Sequence, residues 1–209
     1  MEASKSNLEA SFIKCVSNAD DQVDGARLLL EGGNFRLAYS NSILALEEYG
    51  KALMLHSCAD MGRWDEDIFK ALACHKTKQA MGTVLVNYMD WFMEQNQFRI
   101  WLNVEAGQAV QLDIGPPVEF DRWIDQARKE IKRGKVERSK QRALYVDISR
   151  DGRVQSVPSI SEAIADEAFK RAEKAKEAMG HLLLNYRLGP EVKKNFDLES
   201  SIRLGLLFW

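Results

Sequence analysis

The chain has 209 residues, a formal net charge of −2, 45% hydrophobic residues and 29% charged residues. This length suits one domain with a sizeable core, and the near-neutral charge excludes a polyanion-binding surface over the whole chain, although a local basic patch is compatible with it. No apolar run approaches the roughly 20 residues that cross a bilayer, and the N-terminus lacks a signal-peptide hydrophobic segment. We therefore expect a single cytoplasmic domain over residues 1–209, without membrane attachment.

The three cysteines, Cys15, Cys58 and Cys74, lie far apart in the sequence and form no Cys-x-x-Cys pair. This spacing argues against a disulfide framework and against a zinc site. Each cysteine lies among apolar residues, which is typical of a small buried hydrophobe. We therefore expect a reducing compartment, no metal and no cofactor.

The first two predicted elements form a helical hairpin. Apolar residues recur at three- and four-residue steps from about residue 6 to residue 31, which predicts an amphipathic helix. Gly32-Gly33 is a helix-ending signal, and Asn34 suits the N-cap of a second helix that ends near Met61-Gly62. The short link between the two helices predicts that they pack antiparallel.

The second helix carries apolar residues almost all the way round, which predicts that other helices enclose it. Glu48 lies on that apolar surface, and a buried carboxylate is costly unless it is paired. Lys51 stands three residues from Glu48 and four from Glu47, so it can reach either side chain. Two interpretations remain open: an internal ion pair that fixes helix packing, or a polar site that opens between helices.

A third helix is predicted to begin around Asp65 and to run to about Gln97, with an interruption near Gly82. Its end is rich in aromatic residues, which favours packing in the core or between two copies of the chain over base stacking. Those aromatic residues are Trp91, Phe92, Phe98 and Trp101. Together with an apolar C-terminal tail, they predict a homodimer.

The remaining chain predicts two more helices and a small ribbon. Residues 103–120 are predicted to be a loop because they contain Gly107, Gly115 and Pro116-Pro117, and Asp121 suits the cap of a fourth helix that ends near Arg138. Asp151-Gly152 between β-prone runs predicts a hairpin over 143–157. Ser159 and Glu162 resemble a capping box that opens a last helix to about Tyr186. The expected fold is a mainly α antiparallel helical bundle with a small β-hairpin.

His75 and Lys78 form a second polar cluster, because residues three apart share one face of a helix. If the third helix packs on the second, His75 and Lys78 approach Glu48 and Lys51. Such a set can perform acid–base chemistry, or it can bind a phosphate through lysine and imidazolium. An exposed or structurally bonded histidine is the competing interpretation.

A basic stretch follows, with eight cations against only Glu130 and Glu137. It is a candidate RNA contact, although a solvated helix face explains the same charges. Its members are Arg128, Lys129, Lys132, Arg133, Lys135, Arg138, Lys140 and Arg142.

Several of these segments together resemble the AbiV family of bacterial abortive-infection proteins. The segments are Asn18-Ala19 with Ala26-Arg-Leu-Leu-Leu30, Ala38-Tyr-Ser40 with Leu44-Ala-Leu-Glu-Glu-Tyr-Gly-Lys51, His75-Lys-x-Lys78, and Lys140-x-x-Ala-Leu-Tyr-Val-Asp147 followed by Asp151-Gly152 and Pro158. The likeness covers most of residues 8–187. It implies membership of the HEPN superfamily, a helical bundle, frequent dimerisation and a role in defence against phage.

The resemblance also implies ribonuclease chemistry, because many HEPN proteins are metal-independent ribonucleases. Their usual motif, an arginine followed after four to six residues by a histidine, is absent before His56, His75 and His181. Two hypotheses follow. In the first, Glu48, Lys51, His75 and Lys78 form a non-standard ribonuclease site. In the second, the protein is not an enzyme and binds a phage-encoded or host protein.

Overall fold

The computed structural model describes residues 3–105, 129, 135–144 and 159–188, with side chains described outside 91–105, 135 and 181–188. This part of the chain is mainly helical. Its helices are α1 (Lys5–Glu31), α2 (Phe35–Met61), α3 (Glu66–Ala73), α4 (His75–Glu105), α5 (Lys135–Leu144) and α6 (Glu162–Leu188).

Helices α1 and α2 form the predicted hairpin, and local side chains set its ends. The Ser4 hydroxyl caps α1 by accepting a hydrogen bond from the Asn7 amide. Gly33 turns the chain with a φ of 73°, a left-handed conformation that favours glycine. Asn34 then caps α2 through the Leu37 amide, as its sequence position predicts.

Helix α2 lies at the centre of the described bundle, which confirms that other helices enclose it. It packs against α1, α4, α5 and α6. Seventeen of its 27 residues are buried, among them Tyr49, Leu53 and Met54. A helix buried on so many sides can hold a polar side chain away from water only if neighbouring helices supply partners for it.

Helices α2 and α4 cross at two glycines. A Cβ atom added to Gly50 would overlap the Lys78 carbonyl oxygen, and one added to Gly82 would overlap the Leu46 carbonyl oxygen. Gly82 therefore does not interrupt the helix. Its missing side chain lets the two backbones approach closely, which brings polar residues on the two helices within reach of one another.

The helix break lies at Cys74 instead, where the extended backbone (φ −78°, ψ 118°) ends α3. Asp65 caps α3 by accepting from the Ile68 amide, as the acidic start of this segment predicts. Because α4 begins directly after Cys74, His75 occupies the first residue of the long helix. The prediction of one helix from Asp65 with a break near Gly82 is thus wrong about the position of the break.

The later boundaries differ in part from the sequence-based ones. Helix α4 continues through residue 105 and α5 through residue 144, so the first residues of the predicted loop (103–120) and hairpin (143–157) are helical. Residues 106–120 and 145–157 lie outside the described residues, where the loop and hairpin stay predictions. The cap of α6 is Ser161, whose hydroxyl accepts from the Ile164 amide, and not Ser159.

The surfaces on which dimerisation was predicted lie beyond what the structure describes. The side chains of the aromatic segment at residues 91–101 and the apolar tail after residue 188 are outside the described part, so the homodimer stays a prediction. Among the described residues, no helix combines the length and apolar character that a bilayer span requires.

Candidate functional site

Glu47 forms the centre of a polar cluster between α2, α4 and α5. Its side chain is only 3% exposed. One carboxylate oxygen, Oε2, lies 2.7 Å from Nδ1 of His75. The other, Oε1, lies 2.5 Å from Nζ of Lys140 and 2.8 Å from Nε2 of Gln79. These partners come from two other helices and offset the cost of burying the carboxylate.

His75 extends from this buried centre towards solvent, since 51% of its side chain is exposed. A carboxylate only accepts hydrogen bonds, so the contact with Glu47 fixes the proton of the neutral imidazole on Nδ1. The other ring nitrogen, Nε2, then carries the lone pair, on a side chain that is half exposed. This arrangement gives a solvent-accessible acid–base group whose orientation is set by a buried carboxylate.

Lys140 supplies the positive charge at the centre of the cluster. Its side chain is 2% exposed, and Nζ lies between Oε1 of Glu47 and Oε2 of Glu137, 3.0 Å from the latter. The same nitrogen is 3.5 Å from Nδ1 of His75. An ammonium buried between two carboxylates satisfies both of them and links α5 to α2.

Gln79 and Glu137 complete the cluster. Nε2 of Gln79 donates to Glu47 and, over 2.8 Å, to Glu137, so this one amide joins the two carboxylates. Burial alone would raise the pKa of Glu137, but hydrogen bonds from Gln141 and Lys140, with the positive charges of Lys140 and His75, hold that pKa below its usual value.

Glu48 and Lys51 lie on another side of α2, away from this cluster. They form the predicted ion pair, with 2.7 Å between Nζ and Oε1, and both contact Cys15 on α1. Burial by itself would lower the pKa of Lys51, but the hydrogen bond and charge of Glu48 raise it above the usual lysine value. The expectation that Glu48 faces His75 is therefore wrong, because the neighbouring Glu47 makes that contact.

The other predicted site residues are only partly brought together. Lys78 is half-buried one turn after His75, at the start of α4. Lys129 is exposed, and the side chain of Lys135 is outside the described set, as are Arg128, Lys132 and Arg133. Lys140 does not belong to a basic surface, because it is buried against Glu47; the RNA contact assigned to its neighbours stays a prediction.

The cluster contains ligand types that a divalent cation could use. Carboxylate oxygens of Glu47 and Glu137 and a ring nitrogen of His75 lie within 4.8 Å of one another. The ammonium of Lys140, however, already lies against both carboxylates and supplies the charge that a cation would bring. The donor set and this internal cation therefore fit a site that works through proton transfer better than one that holds a metal.

A pocket of about 310 Å³ adjoins the cluster, between α2, α4, α5 and α6. Its wall is mainly apolar, and Gln79 belongs to both the wall and the polar cluster. Arg171 and Glu167, one helical turn apart on α6, add charged groups to the same wall. The lining also includes Tyr39, Ile43, Thr83, Val136 and Ala168.

Sequence reasoning missed Glu47 and Lys140, although the chain contains a signal for each. Glu47 is adjacent to Glu48, and only the placement of α4 determines which of the two faces a histidine. Lys140 lies in line with Val136 and Ala143 at helical spacing, which marks it as part of the inward face of α5. Its position in a run of cations hid that pattern.

Comparison with known proteins places the chain in a family. The family model described as HEPN_AbiV, AbiV, matches residues 7–177, a range that contains the whole polar cluster. The chain belongs to the AbiV family. This confirms the resemblance seen in the sequence and makes the chain an abortive-infection, HEPN-type defence protein of helical fold. No curated protein and no solved structure matches it.

Proposed function

We propose that this AbiV protein arrests growth or translation in a phage-infected cell by cleaving RNA without a metal ion, with His75 as the acid–base group. The observation that carries the proposal is the contact between the buried Glu47 carboxylate and Nδ1 of His75, on an imidazole side chain that is 51% exposed. The protein would act in the cytoplasm, where its RNA substrates are.

In this reaction the 2′-hydroxyl of the RNA attacks the adjacent phosphorus. Nε2 of His75 takes the proton of that hydroxyl, and the P–O5′ bond breaks. The products are a 2′,3′-cyclic phosphate and a 5′-hydroxyl, whose oxygen receives a proton from water or from the imidazolium. Glu47 positions the ring, and Lys140 holds Glu47 in place.

The phosphate needs a cation, because Glu47, Glu137 and Lys140 leave the cluster with an excess of one negative charge when His75 is neutral. Lys78 is our candidate for this role, since it follows His75 by about one turn of α4 and is half-buried. The exposed Lys129 and the basic residues around it would hold the RNA backbone. HEPN domains commonly dimerise and bind RNA, and a homodimer would present two such sites.

The test is cleavage of labelled single-stranded RNA by the purified protein in excess EDTA, with the wild type and His75→Ala compared. We expect cleavage with 2′,3′-cyclic phosphate ends, and a loss of at least about 100-fold in His75→Ala, the usual size of an acid–base contribution. Circular dichroism must show both proteins folded. Undiminished cleavage by folded His75→Ala, or cleavage abolished by EDTA and restored by Mg²⁺, contradicts the proposal.

A second candidate function is recognition of a phage-encoded or host protein without catalysis. It is favoured by exposed apolar side chains on the helices, such as Ile13, Leu28 and Phe69. Under this alternative the polar cluster only ties α5 to α2 and α4. His75→Ala would then leave growth arrest intact, whereas Leu28→Asp or Phe69→Asp would abolish it.

A further inference from the structure

The pocket beside the polar cluster has the size and setting of a ligand site. Its volume of about 310 Å³ lies at the lower end of the range for small-molecule pockets and suits one nucleoside. Gln79 is buried at its inner end, whereas Glu167 and Ile164 are exposed at its rim. A planar group entering from solvent would therefore pass two residues of α6 and reach the amide that bonds Glu47.

The charged groups of this pocket match the two edges of one nucleobase. Arg171 can donate two parallel hydrogen bonds, and its Nη2 lies 3.4 Å from the Thr83 hydroxyl, which helps to fix its position. Glu167 accepts hydrogen bonds one turn away. Guanine offers two adjacent acceptors, O6 and N7, to an arginine, and its N1–H and amino group to a carboxylate. No other base presents both pairs.

The apolar wall supplies the remaining contact. Tyr39 and Ile43 from α2, Val136 from α5 and Ala168 from α6 lie around the space between these charged groups. Unpaired RNA bases are commonly held by stacking on aromatic side chains while their edges are hydrogen-bonded. The ring of Tyr39 is the aromatic side chain among the described lining residues that can provide such a surface.

Two residues of the pocket lie on the same face of α4 as His75. His75, Gln79 and Thr83 follow one another at four-residue intervals on one face of α4, so the two pocket residues lie about 6 Å and 12 Å along the helix from the histidine. Gln79, one turn from His75, therefore joins the inner end of the pocket to the carboxylate that orients the histidine.

We infer that this pocket binds the guanine base of an unpaired nucleotide in the RNA substrate. The inference rests on the proposed function for the cleavage step, but it makes a separate claim about binding. The pocket thus selects single-stranded, guanine-containing RNA, and Glu167 and Arg171 are the residues that determine this specificity.

Binding is tested without any cleavage. Guanosine 5′-monophosphate and adenosine 5′-monophosphate are titrated calorimetrically into the wild type and into His75→Ala. We expect at least tenfold tighter binding of the guanine nucleotide, equal in both proteins. Ala163→Trp, which fills the exposed end of the pocket, should weaken that binding at least tenfold, whereas Ser17→Trp on the exposed face of α1 should not.

Specificity is tested on single-stranded oligonucleotides that differ only in one central base. We expect the oligonucleotide with a central guanine to be cleaved at least tenfold faster than the one with a central adenine, and Glu167→Gln should reduce that ratio towards one while the variant stays folded. No binding of the guanine nucleotide, or equal binding by Ala163→Trp, overturns the pocket assignment. Binding in the pocket together with RNA cleavage that ignores guanine overturns the RNA assignment and leaves a free guanine nucleotide as ligand. Guanine binding with no RNA cleavage at all overturns the proposed ribonuclease function alone.

Discussion

Nζ of Lys140 lies 2.5 Å from Oε1 of Glu47, although 93 positions separate the two residues in the sequence. Both side chains are almost fully buried, at 2% and 3% exposure. This contact ties a short helix late in the chain to the central helix, and it stabilises the carboxylate that orients His75. The same ion pair therefore stabilises the fold and holds the candidate site in place.

Lys140→Met is expected to lower the free energy of unfolding by about 3–5 kcal/mol, because it leaves the buried Glu47 carboxylate and the partly exposed Glu137 carboxylate without their cation. Urea denaturation followed by circular dichroism measures the change. The matched control is Lys174→Met, which removes an exposed pair with Asp90 and should cost less than about 1 kcal/mol. Glu47→Gln combined with Lys140→Met should recover part of the loss. Equal stability of the two single lysine variants would argue against a buried pair.

Glu47→Gln and Glu48→Gln each replace one carboxylate oxygen with an amide nitrogen, at two adjacent residues. We expect only Glu47→Gln to impair RNA cleavage and growth arrest. The reason is that Glu47 contacts His75, whereas Glu48 contacts Lys51. A loss of about 10²–10⁴-fold is expected for Glu47→Gln, with partial rescue in Glu47→Asp. Single-turnover cleavage measures it, with thermal melts to establish that all three variants are folded. A larger effect of Glu48→Gln would support the assignment first made from the sequence.

Gly82→Ala and Gly50→Ala are each expected to destabilise the protein by about 1–3 kcal/mol, because the added methyl group forces α2 and α4 apart. Gly180→Ala is the control: an added Cβ meets nothing within 4 Å there, and alanine favours a helix interior by up to about 1 kcal/mol. Thermal unfolding compares the three variants. We expect the melting temperature to fall in Gly82→Ala and to rise in Gly180→Ala. A higher melting temperature in Gly82→Ala would contradict the close crossing of the two helices.

The stability of the protein should fall in acid partly because of Glu137. The pKa of Glu137 is lowered in the folded state, so the ionised carboxylate stabilises the folded protein. This stabilisation is present above the ordinary glutamate pKa of about 4.3, and it is lost as the pH falls through the lower pKa of the folded state. Glu137→Gln should therefore make the melting temperature depend less steeply on pH between about pH 5 and pH 3. The exposed Glu177→Gln should leave the wild-type slope unchanged.

Local sequence signals were sufficient for the parts of the fold that local interactions determine. Gly33, Asn34, Gly62 and Asp65 marked helix ends correctly because turns and caps depend on neighbouring residues. The predicted break at Gly82 is wrong, since a glycine that permits two backbones to approach has the same local pattern as one that ends a helix. The family was recognisable because its motifs are contiguous.

The candidate site was less predictable because its contacts are long-range. Periodicity indicates a carboxylate on the apolar surface of α2, which would approach His75 if the two helices pack together, but Glu47 and Glu48 differ by only about 100° around the helix axis. Which one faces α4 depends on the packing of three helices. Lys140 could not be distinguished from its basic neighbours by charge alone, because its role depends on which face of α5 is covered. One domain over residues 1–209 also stays a prediction.

The crossing of α2 and α4 limits which substitutions the protein can accept during evolution. Because the two backbones touch at Gly50 and Gly82, the spacing between Glu47 and His75 is determined by atoms that every amino acid possesses. Any side chain at either glycine would push the two helices apart and change that spacing. Selection on the centre would act on two positions that themselves carry no functional group.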